Sequence, residues 1–174
     1  MQAKLSLKGR ALQLLAQRDQ SRVELRRKLL RYSARAAGES GAEGGDDEAT
    51  RAHVEAVLDW LEAHRYLSAE RFAESRVHAR ESRFGNLRIK SELAQHGVAL
   101  SAAVARELVD TELQRAASVR ERRFSRPPGD ASERAAQSRF LAARGFSSEV
   151  IHRLMRQVRE AARETSEGDP THRA

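Results

Sequence analysis

Apolar residues recur at helical spacing along nearly the whole chain, and that periodicity limits the fold before any composition is counted. Val54, Val57, Leu58 and Leu61 stand at i, i+3, i+4 and i+7, on one face of an α-helix. Comparable stripes are Leu7, Ala11, Leu14 and Leu15; Leu25 with Leu29; Ile89 with Leu93; Val104 with Leu108; and Val150, Ile151, Leu154, Met155 and Val158. The spacing predicts an all-α chain of about nine helices. Helix ends are legible too. Ser21 with Glu24, and Asp130 with Glu133, have the spacing of a capping box, while Ser68, Ser101 and Ser147 or Ser148 can accept at an N-terminus and Gly97 and Gly145 suit helix stops. Residues 125–130 carry two prolines, which forbid helix continuation.

A short motif recurs within this pattern. Leu25-Arg-Arg-Lys-Leu29 and Ile89-Lys-Ser-Glu-Leu93 share an apolar residue, a base, two further residues and Leu, and Gln137 with Leu141 stands in the third copy. Each copy follows one helix and precedes another, so the unit is three helices. Stacked units of this kind predict an elongated, slightly curved body. On this pattern repeat 1 spans residues 1–67, repeat 2 spans 68–113, repeat 3 spans 114–160 and a polar tail covers 161–174. Within repeat 1, residues 37–48 are rich in Gly and acid and are expected to form a flexible loop, since they offer no apolar area to offset ordering.

Charge narrows the function classes. The chain has net charge +7 and no cysteine, which removes disulfides, thiolate metal sites and thiol nucleophiles. Residues 1–36 hold ten Lys and Arg against Asp19 and Glu24, and a second cluster of eight Arg runs from Arg115 to Arg144. Such a balance favours a polyanionic partner, nucleic acid or an acidic protein surface. No apolar run approaches the length of a membrane span, and the first residues lack an apolar signal core, so a cytoplasmic protein is expected; a monomer is expected as well. The six His form no cluster, Glu55 and Asp59 read as a surface pair, and neither GxxxxGK[ST] nor GxGxxG occurs. The expectation is a non-enzymatic binding protein without cofactor or metal.

Four segments in order carry a family likeness: Ser21-Arg-Val-Glu-Leu-Arg-Arg-Lys-Leu29; Tyr66-Leu-Ser-Ala-Glu-Arg-Phe72-Ala73; Gly85-Asn-Leu-Arg-Ile-Lys-Ser-Glu-Leu93 with Gly97; and Phe140-Leu-Ala-Ala-Arg-Gly-Phe146 with Val150. With these the chain resembles the RecX family of RecA regulators over residues 8–158. The resemblance implies tandem three-helix repeats that bind the RecA filament on single-stranded DNA and limit its assembly, ATPase, strand-exchange and co-protease activities. The chain departs from the family pattern in the 38–48 insertion, Ser68 and Gln137.

The candidate contacts to RecA or to single- or double-stranded DNA are the bases on the middle helix of each repeat: Arg22, Arg26, Arg27 and Arg31; Arg88 and Lys90; Arg139 and Arg144. Arginine engages carboxylate or phosphate bidentately, so residue type alone does not separate protein from DNA. Trp60, Tyr66, Phe72 and Phe140 are expected in the core rather than as stacking platforms, and Phe146 is expected to pack back on its helix. Two other readings stay open on the residues alone, a general basic nucleic-acid-binding protein and a helical protein-interaction scaffold.

Overall fold

A computed structural model of the chain describes residues 5–39 and 48–167. They form eight helices: α1 (Leu7–Gln17), α2 (Arg22–Glu39), α3 (Glu48–Ala63), α4 (Ala69–Glu81), α5 (Asn86–Gln95), α6 (Ala102–Glu121), α7 (Ala131–Ala143) and α8 (Ser148–Glu167). The described residues contain no strand. The count falls short of about nine for one reason. The repeat pattern puts a boundary at residues 113–114, yet α6 runs through it unbroken. Neither Gly nor Pro interrupts this stretch, and Leu108, Glu112, Ala116 and Val119 keep one buried face at i, i+4, i+8 and i+11. Of the expected 37–48 loop, Ala37 to Glu39 continue α2 and Glu48 opens α3, with residues 40–47 outside the described residues. α8 extends into the expected tail as far as Glu167.

The helices gather into two compact units, one comprising residues up to Ser75 with Leu93–Ala99, the other Arg76–Glu92 with the residues from Leu100 on. In the first, α1, α2 and α3 close over Ala11, Leu14, Leu25, Leu29, Val54, Val57, Leu58, Leu61 and Leu67. In the second, α6, α7 and α8 enclose Ala116, Val119, Leu141, Phe146, Ile151, Leu154 and Met155. The recurring motif positions are all interior, from Leu25 and Leu29 through Ile89 and Leu93 to Gln137 and Leu141. Gln137 is tolerated there because its Oε1 accepts from the buried Arg120 Nε at 2.8 Å, while Arg120 Nη2 donates to the Arg126 carbonyl.

Three helices stop in the same way. At the ends of α3, α5 and α7 the amides of Tyr66, Val98 and Phe146 donate to the carbonyls of Leu61, Leu93 and Leu141, and those of Arg65, Gly97 and Gly145 to Glu62, Ala94 and Ala142. This paired pattern needs a left-handed residue after the helix, and Arg65, Gly97 and Gly145 have φ of 59, 66 and 82°. Gly145 also serves a second helix, because its carbonyl accepts from Leu87 N and the Arg144 carbonyl from Gly85 N at the entry to α5. The approach is so close that a Cβ on Gly85 would lie 2.3 Å from the Gly145 oxygen.

Ser21 caps α2, its Oγ accepting from Glu24 N at 3.1 Å. The reciprocal half of the capping box is replaced, for the Glu24 carboxylate takes Arg18 and Lys28 Nζ, the latter at 3.0 Å. Burial alone would raise the Glu24 carboxyl, but these two cations outweigh it and hold the pKa down at about 2, against 4.5 for a free Glu. At the start of α7, Glu133 N donates to Asp130 Oδ1 and Glu133 Oε2 accepts from Gly129 N.

Three substitutions test these arrangements. Glu24 ionises at lower pH folded than unfolded, so its contribution is complete above about pH 4.5 and is lost as pH falls toward 2. Glu24→Gln is therefore expected to destabilise by about 2 kcal/mol at neutral pH and to flatten the acid limb of a urea-denaturation pH profile; an unchanged limb would remove Glu24 from the argument. Gly85→Ala forces backbone against backbone and is expected to lose at least about 2 kcal/mol. Gly38→Ala, where a Cβ meets nothing within 4 Å, is expected to gain about 0.5 kcal/mol from helix propensity.

Candidate functional site

The basic helix α2 presents its cations on two sides, and the structure treats the two sides differently. Toward α3 it meets Glu55, Asp59 and Glu62, which stand at i, i+4 and i+7 on one face of that helix. Arg22 bonds all three, Nη2 to Glu55 at 2.6 Å and to Asp59 at 2.7 Å, and Nη1 to Glu62 at 2.7 Å. Arg26 Nε closes on Glu55 as well. Burial works against the charge on Arg22, but the hydrogen bonds to Asp59 and Glu55 and the field of Glu62 leave it more basic than a free arginine. Burial would likewise raise Glu55, and the bonds from Arg22 and Arg26 hold it below the usual carboxylate range. Glu55 and Asp59, read from sequence as a surface pair, thus belong to an interhelical network.

Away from α3, Val23, Arg26, Arg27, Leu30, Arg31 and Ala34 line an open groove of about 450 Å³. Val23 is 51% exposed and adds an aliphatic surface to the groove. Arg27 and Arg31, one turn apart and exposed, have no carboxylate partner among the described residues. Arg31 and Ala34 also line a neighbouring concavity with Arg10, Lys28, Tyr32 and Arg35. Tyr32 is fixed there by its hydroxyl, which donates to the Leu5 carbonyl at 2.6 Å.

In the second unit, Arg88 and Arg144 come to the same ring. Their guanidinium carbons lie 4.3 and 5.9 Å from the Phe84 centroid, with Arg80 and Arg83 also within 6 Å. Arg144 additionally stacks on Phe140 at 4.7 Å and donates to the Arg83 carbonyl. Glu92 balances part of this charge through Arg80 at 3.0 Å and Arg88 at 3.5 Å. Lys90 and Arg139 are exposed and without a carboxylate partner among the described residues.

The aromatics divide. Phe72 and Phe146 are buried, as expected, and Trp60 and Phe140 are half-buried. Tyr66 corrects the expectation of a core position, being 49% exposed. It lies parallel to Trp60 at 5.6 Å, His64 stacks on Trp60 at 4.0 Å, and Lys8 Nζ sits 3.1 Å from the Trp60 centroid. The reason is the stop after α3, which turns Leu67 inward and leaves Tyr66 outside, with Arg71 donating to the Arg65 and Tyr66 carbonyls. The described residues contain no cluster of His, Asp and Glu able to hold a metal, and no helix long and apolar enough to cross a membrane.

Comparison with known proteins agrees with this architecture. Residues 70–113 match the family model for the second three-helix domain of RecX, and residues 110–155 that for the third. The Regulatory protein RecX of Ralstonia nicotianae is 48% identical over 87% of each chain, and that of Herbaspirillum seropedicae is 46% identical over 91% of this chain and 92% of its own. In fold, the crystal structure of RecX from Lactobacillus salivarius superposes with a TM-score of 0.63 at 17% identity, covering 88% of this chain and 95% of that one. The chain belongs to the RecX family of regulatory proteins.

Proposed function

We propose that this protein is a negative regulator of the RecA recombinase that binds the RecA filament on single-stranded DNA and limits its assembly, performing no chemistry itself. Loss of ATPase, strand exchange and co-protease activity then follows from fewer or shorter filaments. The observation that carries the reading is the α2 groove, where Arg27 and Arg31, without a carboxylate partner among the described residues, flank exposed Val23 and half-buried Leu30. Cations beside an aliphatic strip suit an acidic protein surface with an apolar anchor better than a bare phosphate chain. Arg22 and Arg26, by contrast, act in this reading mainly by tying α2 to α3, since their charge is already met by carboxylates.

The test is RecA's single-stranded-DNA-dependent ATPase with increasing amounts of this protein. Full ATPase at saturating protein, under conditions where filaments form, would sink the proposal. Arg27→Glu with Arg31→Glu is expected to raise the concentration for half-inhibition roughly tenfold or more with the helical circular dichroism intact, because two interface charges are reversed. Arg22→Glu is expected to lower thermal stability, through repulsion from three carboxylates, and unchanged melting would argue against the network.

A further inference from the structure

A second groove, of about 360 Å³, runs between α7 and α8. α7 contributes Arg134 and Ser138, one turn apart, and α8 contributes His152, Arg156 and Arg159 over Met155. None of the lining side chains is a carboxylate. Of the acids nearest in sequence, Glu133 is turned to the Gly129 amide and Arg126, and Glu160, next to Arg159 and one turn from Arg156, forms no ion pair among the described residues. Arg134, Arg156 and Arg159 are exposed and form no ion pair among the described residues. Along α8 the stripe of His152, Arg156 and Arg159 continues to exposed Arg163 at i+11, with axial steps between arginines of about 4.5 and 6 Å. Like charges held together without a counter-ion repel, and a polyanion laid along the groove relieves that repulsion.

The lining also selects the kind of polyanion. A protein interface of useful affinity wants a large apolar or aromatic anchor, yet here Met155 is 6% exposed and the remaining apolar lining is Ala131 and Ala135. The one ring in the lining is the exposed imidazole of His152, with no Phe, Tyr or Trp to form a platform for successive bases, so recognition of single strands lacks its usual partner. What remains is a row of guanidiniums with one imidazole and one hydroxyl, the chemistry that engages backbone phosphates without reading sequence. We infer that the groove between α7 and α8 binds the phosphodiester backbone of duplex nucleic acid through Arg134, Arg156 and Arg159. This site is separate from the α2 groove and does not depend on RecA.

Titration of a labelled DNA duplex with the full chain, in the absence of RecA and over a range of salt, tests the inference independently of the ATPase assay. The triple variant Arg134→Gln, Arg156→Gln, Arg159→Gln is expected to bind at least about tenfold more weakly at low salt. Its slope of log K against log salt is expected to fall by about 0.9 for each phosphate no longer neutralised, whereas Arg106→Gln, exposed on α6 and outside the groove lining, leaves both unchanged. Should the triple variant lose its circular dichroism, the three single variants are each expected to remove about one such increment. Wild-type affinity and slope in the folded variants would overturn the assignment. So would displacement of the duplex by poly-glutamate as readily as by unlabelled duplex, which gives the groove to acidic protein, or tighter binding of a single strand that the same variants abolish.

Discussion

Every helix that ends leaves its last carbonyls without a partner inside the helix, and the answer to that problem organises this molecule. Three helices, α3, α5 and α7, end on one hydrogen-bonded pattern whose pivot is a left-handed residue. The pattern reverses the chain tightly enough that Leu67, Val98 and Phe146 are buried within two residues of the pivot. At Gly145 the same turn supplies acceptors for the first amides of α5, so one short segment ends one helix and starts another. At Arg65 the pivot has a side chain, a strained choice for an L-residue, and the adjoining carbonyls are held by Arg71.

Charge is then divided by what the fold brings opposite it. On α2, residues of one type in one short run reach different ends. Arg22 is tied to three carboxylates from α3, Lys28 serves Glu24 and Gln20, and Arg27 and Arg31 are left to solvent. The family relationship names a regulatory protein, and this partition says which cations of its most basic helix are still available.

Much of the fold is legible in the sequence because its signals are local. The Val54 to Leu61 stripe, the Ser21, Ser101 and Asp130 caps and the Gly97 and Gly145 stops each act within three to seven residues, and sequence displays such relations directly. The departures share the opposite property. Arg22 meets acids 33 to 40 residues away, so its pairing is invisible in α2 alone. Counting helices by repeat implies a break in α6, where the residues themselves offer no breaker. The stripe beside Tyr66 suggests a core position for it, but the left-handed turn at Arg65 shifts the register and sends Leu67 inward instead. The α7–α8 groove escapes a search confined to the middle helices, because Arg156 and Arg159 belong to the last one.

The continuity of α6 has a consequence for how such a protein can be taken apart. The two matched domain models overlap at residues 110–113, where one ends and the other begins inside this single helix. A repeat architecture is usually imagined as beads that can be added, removed or exchanged. Here a cut at the notional joint would sever about five turns of uninterrupted backbone hydrogen bonding, leaving on each side a stub too short to hold its helix without tertiary support. The second and third domains thus share one continuous helix, and a break at this joint costs both of them.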